Sequence, residues 1–291
     1  MANRMPIFSS IITDTFRLFM KNDPLKLGGA TAFFTMFALP PVLIILIQFL
    51  SLFIDPHAIK HEMFTSLSGM LGEEAVRQVV SVIKEVRKLN SNWLAAVLLF
   101  VFLIFVATTL FKVIRSSINQ VWELEPVPRK KVIASLKSRL LSLGVIIITG
   151  LLFSIAMFIE TLQVLVGSYF IEIFPSISGF VNQALAFIIG VFIIATWFTI
   201  ILKYLNDKHP SWRVAWTGGL VTSVLFSIGK IVLHFLLNYN NVNDIYGAST
   251  SIVLLLLFVF YSAMILYFGA AFTRIWGASK QSPGKTESIS G

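Results

Sequence analysis

Cysteine is missing from all 291 residues, so disulfides and thiolate metal sites are excluded and thiols say nothing about compartment. Charge is scarce too: Asp, Glu, Lys and Arg make up 13% of the chain, against 56% hydrophobic residues. A soluble domain of this length needs far more charge to cover its surface. Residues 7–21 do not read as a cleavable signal, because Asp14, Arg17 and Lys21 interrupt them and no small-residue cleavage site follows. No Walker loop, Gly-x-Ser-x-Gly turn or dinucleotide fingerprint occurs, which leaves no expected cofactor. Histidine is sparse as well, at positions 57, 61, 209 and 234. His57 and His61 stand four apart beside Glu62, but a zinc site needs a third ligand and none is defined, so no metal is expected.

What the chain does have is apolar length. Several runs, rich in the chain's 27 Phe, approach or exceed the roughly 20 residues that cross a bilayer core. They predict an all-α, polytopic membrane protein with six transmembrane helices. The spans fall at about 28–54, 93–111, 140–170, 180–202, 214–237 and 248–272, giving a membrane domain over 1–275 and a disordered tail over 276–291. Ahead of the first span, Phe8, Ile12, Phe16 and Phe19 fall on one side of a helix, with Ser10, Thr13, Asp14, Arg17 and Lys21 on the other. That pattern predicts an N-terminal amphipathic helix lying in the headgroup region.

Lys and Arg set the orientation. The N-terminal segment, the second and fourth connections and the tail hold 17 of the 23. The third and fifth connections have none, so both termini are expected in the cytoplasm. The first connection, 55–91, carries five cations yet must lie outside, where Val76, Val79, Val80 and Ile83 predict an amphipathic helix on the outer face. A net charge of +9 is read as topology signal and contact with anionic lipid headgroups on the cytoplasmic side, with no nucleic acid partner. Trp93, Trp122, Trp212, Trp216 and Trp276 fall near predicted span ends, as an aromatic belt requires.

Polar residues inside the spans are the candidates for function, because each is costly in hydrocarbon. On the fifth span Gly219, Ser223, Ser227, Lys230, His234 and Asn238 share one stripe. On the third, Ser142, Thr149, Glu160, Gln163 and Gly167 share another. Lys230 leans toward the helix N-terminus, deeper into the bilayer, so snorkelling explains it poorly. Glu160 and Lys230 therefore either line a hydrated path or form a buried ion pair that orients helices. In the first span Pro40 and Pro41 each remove an amide donor, which marks either an open backbone at a binding site or a packing kink. Thr31 and Thr35 stand one turn apart just before it.

Four stretches carry a family resemblance: "NDPLKLGGATAFFTMFALPPVLI", "FKVIRSSINQVWELEP", "WRVAWTGGLVTSVLFSIGKIVLHFLLNY" and "NVNDIYGASTSIVLLLLFVFYSAMILYFGAAFT". Together they resemble the YihY/BrkB family of bacterial inner-membrane proteins. The resemblance implies six spans with cytoplasmic ends, a role in envelope integrity or virulence, and transport of a lipid or solute. The double proline departs from the single one usual in that family. Members have also carried the label ribonuclease BN, but here topology separates the four His, and no clustered ligands could hold a hydrolytic metal. The expected function is therefore non-enzymatic: a transporter or lipid flippase-like permease with a polar path between spans one, three and five. The alternative is a non-transporting envelope scaffold or lipid sensor. Membrane lipids are the expected partners, and a homo-oligomer stays open.

Overall fold

The computed structural model describes residues 5–50, 77, 80–81, 93–124, 144, 147–148, 151–152, 155, 178–239 and 250–281. These form six long helices: α1 (Met5–Lys21), α2 (Pro24–Leu50), α3 (Trp93–Val121), α4 (Ser178–Tyr204), α5 (Trp212–Tyr239) and α6 (Thr250–Gln281). Four of them contain stretches long and apolar enough to cross a membrane, namely Pro24–Ile44, Phe187–Tyr204, Trp212–Val232 and Val253–Lys280. They coincide with the first, fourth, fifth and sixth expected spans. The second lies within α3. Of the third, positions 144, 147–148, 151–152 and 155 are helical, and its other residues lie outside the described ones. In the first connection positions 77, 80 and 81 are helical, where an outer-face helix was expected.

α6 is the hub. It packs against α1, α2, α3 and α5, while α4 lies mainly on α5 and α2 on α3. Hydrocarbon supplies no hydrophobic drive between helices, so close approach through small residues takes its place. The α5–α6 contact shows this reciprocally. Thr222 of α5 sits against Gly269 of α6, and Thr273 of α6 sits against Gly218 of α5. Each threonine is four residues beyond a glycine on its own helix and donates its hydroxyl to that glycine's carbonyl, at 2.7 Å for Thr222 and 2.6 Å for Thr273. Both threonine hydroxyls are thus paired within their own helices. Gly219 does the same toward α4, where a Cβ would lie 2.8 Å from Ala195 O and 2.9 Å from Thr199 N.

Two boundaries differ from the sequence reading, and the proline pair is placed within a helix. α3 continues ten residues past its expected end at 111, because Ile114, Ile118 and Val121 are buried along one helical face. α6 runs to Gln281, so 276–281, expected as the start of a disordered tail, are helical. α2 carries Pro40 and Pro41 inside one helix assignment, with no interruption at the pair.

In α1 the faces are also partitioned differently. Ile11, Thr15, Leu18, Phe19 and Asn22 are buried, with the Phe19 ring edge-on to Phe268 of α6 at 5.6 Å. Ile12, Phe16 and Met20 are exposed. The apolar side of α1 is thus wider than one docking face. Half of it meets the bundle and half is left open.

Candidate functional site

One end of the bundle is closed by ion pairs. It gathers the C-terminal ends of α1, α3, α4 and α6 and the N-terminal end of α5. Arg115 and Asn119, one turn apart on α3, both reach Asp207 in the α4–α5 connection. Arg115 Nε donates to Asp207 Oδ1 at 3.1 Å and its Nη2 also contacts that oxygen. Asn119 Nδ2 donates to Asp207 Oδ2 at 2.8 Å, and its Oδ1 accepts from the Asp207 amide at 3.1 Å. One carboxylate therefore ties α3 to the turn between α4 and α5.

One turn further along α3, Glu123 joins two more helices. Its carboxylate takes Lys21 of α1 at 3.0 Å and Arg274 of α6 at 2.6 Å. Arg274 also caps the end of α3, donating to Val121 O at 3.1 Å. Trp122 is buried here and its indole N–H donates to Ala270 O at 3.1 Å, so it belongs to the core and not to an aromatic belt. Glu123 itself takes the left-handed backbone conformation, φ 49°, which ends the helix and turns its side chain toward both cations.

The hydrogen bond from Arg274, then that from Lys21, holds the Glu123 carboxyl below the usual carboxylate range. A lowered pKa contributes stability above the unfolded value, near 4.5, and that contribution is lost as pH falls through the folded value. Over a third of the side chain is exposed, so screening keeps the effect small. Thermal unfolding in detergent should show a loss of stability below about pH 4.5, and Glu123→Gln should flatten it. An identical acid limb in Glu123→Gln would show that other carboxylates set it.

Deeper in, a layer of hydroxyls joins α2, α3 and α6. Tyr267 is fully buried, and its phenol hydrogen bonds to Thr31 of α2 and Ser117 of α3. Thr31 spends its single proton on Leu27 O at 3.0 Å, so the phenol O–H must donate to Thr31. Tyr267 is seven residues before Arg274, which puts this layer about 10 Å inside the ionic end. Tyr267→Phe keeps the ring and strands both partners. It should cost about 1–3 kcal/mol, read as a lower midpoint in thermal unfolding. An unchanged midpoint would mean that Thr31 and Ser117 find other partners.

The residues singled out from sequence divide three ways. Thr31 is buried and bonded across to Tyr267, and Thr35 donates to Thr31 O at 2.7 Å within its own helix. Pro41 is buried and Pro40 half-buried within α2. On α5, burial falls steadily along the stripe: Ser223 is buried, Ser227 half-buried and Lys230 exposed. Ser223 and Ser227 bond backward along their own helix, to Leu220 O and Ser223 O at 2.9 Å each. His234 and Asn238 fall within α5, but their side chains lie outside the described residues, as do Glu160 and Gln163. α2 and α5 both pack on α6, α5 also and more extensively on α4.

The ionic end was missed from sequence, although a signal was present. Arg115, Asn119 and Glu123 recur every four residues past the expected end of the second span, on the face next to buried Ile114, Ile118 and Trp122. That is a helical stripe. Read as basic residues of a connection, it looked like a topology signal only.

The family profile described as "Virulence factor BrkB" matches residues 15–288, a range that contains every described contact from Thr15 of α1 to the end of α6. This chain belongs to the BrkB family. Among BrkB relatives, a UPF0761 membrane protein of Pseudomonas paraeruginosa is 26% identical over 261 residues, covering 86% of this chain and 60% of its own length. A UPF0761 membrane protein of Psychromonas ingrahamii is 24% identical over 269 residues, covering 87% of this chain and 83% of its own. One from Mannheimia succiniciproducens is 26% identical over 264 residues, at 89% and 86%. The chain thus spans about 60% of the length of the Pseudomonas relative. No solved structure matches. The names and the apolar helices agree that this BrkB protein is a membrane protein.

Proposed function

We propose that this protein is a non-enzymatic transporter or lipid flippase-like permease of the bacterial inner membrane, with both termini in the cytoplasm. Its ionic end is then the cytoplasmic gate, drawn in its closed state, and its path opens along α5 toward the outer leaflet. The observation that carries the reading is the gradient on α5. Ser223, Ser227 and Lys230 share a helical face, yet they pass from buried to exposed in two turns. The same trend holds on α4, which packs against α5, and on α3, while Ala38, Pro41 and Leu43 stay buried further along α2. On α3, Ala107 to Trp122 include the buried positions while Val101, Phe102 and Phe105 are exposed. On α4, Ala195 to Leu205 include the buried positions while Phe187, Ile188 and Phe192 are exposed. A bundle tight at one end and loose at the other is what one half of an alternating-access cycle requires.

A lysine at membrane depth costs at least about 2.5–3.5 kcal/mol on insertion scales, so its place on this face calls for a purpose. The permease reading assigns Lys230 to an anionic group of the passing substrate, with Glu160 as its resting partner. Reconstituted into vesicles, the protein should speed the redistribution of a fluorescent anionic phospholipid between leaflets. Lys230→Met should abolish that acceleration while the protein stays folded. No acceleration by the unaltered protein would remove the lipid permease.

A second reading has its own support. The Thr31 hydroxyl is bonded to Tyr267, Thr35 bonds along its own helix, and α2 passes through its prolines as one helix. A scaffold that holds a partner in the envelope needs nothing more from its first span. The lipid assay separates the two, because a scaffold leaves redistribution unchanged.

A further inference from the structure

The open half of α1 has no use in either reading above. At 100° per residue, Leu18, Ile11, Asn22, Thr15 and Phe19 span one arc of about 100°, and all five are buried. The next arc holds Ile12, Phe16 and Met20, exposed at 45%, 54% and 54%. Beyond it come Thr13, Arg17, Ser10, Lys21 and Asp14. Around the helix the order is therefore bundle, bare apolar strip, charged strip. Leu25, at the start of α2, is a further bare apolar side chain at 67% exposure, and Lys26 follows it in sequence.

A helix meant only for docking needs one apolar arc, and one facing water would not leave Ile, Phe and Met bare in a row. Two arcs fit a helix that touches the bundle with one and a bilayer surface with the other. The occupant is set by charge. Arg17 lies beside the bare strip, Lys21 further round the helix and Lys26 at the start of α2, against Asp14, the only acid on α1, and Asp23 in the turn that follows. Each cation near an anionic leaflet adds about 1 kcal/mol of attraction. The position agrees: Lys21 ends α1 at the ionic end, where helices of apolar length terminate.

We propose that α1 docks on the anionic surface of the membrane as an in-plane arm, with Ile12, Phe16 and Met20 sunk at the headgroup boundary and Arg17, Lys21 and Lys26 on lipid phosphates. The Lys21 side chain is 70% exposed, so one ammonium can serve Glu123 and a lipid phosphate by turns. Surface charge of the leaflet thus bears on the contact joining α1 to α3 and α6. The inference stands apart from transport, since it concerns where α1 lies and not what passes through the bundle.

The test uses the full-length chain, which has no native cysteine. Spin labels are placed singly by Ile12→Cys, Phe16→Cys, Met20→Cys and Thr13→Cys, and the proteins are put in nanodiscs containing phosphatidylglycerol. Collision rates with oxygen, which prefers lipid, and with a water-soluble nickel chelate report depth. Labels at 12, 16 and 20 should collide more with oxygen and the label at 13 more with nickel. Nickel dominating at all four would overturn the proposal. Labels at 12, 16 and 20 shielded from both reagents would overturn it in favour of a second protein copy on that face. Replacing phosphatidylglycerol with phosphatidylcholine, or making Arg17→Gln with Lys26→Gln, should reduce the oxygen preference at least twofold. An unchanged preference would overturn the phosphate contacts.

Discussion

Gly219→Val should leave little or no folded protein in the membrane fraction. Position 219 faces α4 across the tightest backbone approach described, where a Cβ meets Ala195 O and Thr199 N at 2.8 and 2.9 Å. Real Cβ atoms need more room, and main-chain atoms of a helix cannot swing aside as a side chain can. Overpacking a well-filled interior typically costs 1–3 kcal/mol or more, and folded proteins have only about 5–15 kcal/mol to lose. Valine adds two methyls to that collision, so the α4–α5 pair must separate. Gly219→Ala should already lower the unfolding midpoint. Its damage should resist rescue by Thr199→Ala, because removing the hydroxyl leaves the backbone atoms in place. Gly29→Ala is the matched control. Nothing lies within 4 Å of a Cβ there, and alanine is the better helix former by about 1 kcal/mol. It should be neutral or stabilising. Detergent-solubilised protein followed by size-exclusion chromatography and thermal unfolding reads both, and a well-folded Gly219→Val protein would refute the packing described.

The second large effect should come from breaking the Arg115–Asp207 pair on one side only. These side chains are 14% and 31% exposed, so the pair is well shielded without being fully buried. Arg115→Met takes the guanidinium away from a carboxylate that Asn119 also holds. Asp207→Asn leaves the guanidinium facing a neutral amide in the same place. Breaking a buried pair from one side costs about 3–5 kcal/mol. Partial exposure reduces this to about 1–3 kcal/mol, the range for hydrogen bonds to charged groups. Replacing both, Arg115→Met with Asp207→Asn, should restore much of the loss, since no charge is then left alone. A double-mutant cycle measured by unfolding midpoint shows this as non-additivity. Strict additivity would mean that the two groups act independently.

How much of this was legible in the sequence depends on the range of the cause. Hydropathy over about 20 residues found α2, α4, α5 and α6 to within a few residues at most ends, because span length is a local property. It stopped α3 too early, at the first lysines, because charge usually marks the end of a span. There the buried Ile114–Ile118–Val121 face continues while its polar side binds Asp207, 92 residues away from Arg115. The same distance problem hid the role of Thr31. A threonine in an apolar helix reads as a path residue or as packing, and what decides is Tyr267, 236 residues on. In α1 the helix and its charged face were visible, but Phe19 was grouped with Phe16. Only the presence of α6 separates a buried phenylalanine from an exposed one three residues earlier. On α5 the stripe was legible and its gradient was not, since periodicity gives a direction around a helix and says nothing of what lies along it.

The claim that the bundle is closed at its ionic end and opens along α5 is tested most directly by thiol reactivity. Ser223→Cys, Ser227→Cys and Lys230→Cys, each made in the cysteine-free chain, would be exposed to a membrane-impermeant, hydrophilic thiol reagent. Intact spheroplasts present the outer face and inverted vesicles the inner one. The account predicts rapid labelling at 230 in spheroplasts, slower labelling at 227, and protection of 223 from both faces. A cysteine at 230 that reacts from neither side, or one at 223 that reacts from the inner face, would contradict it.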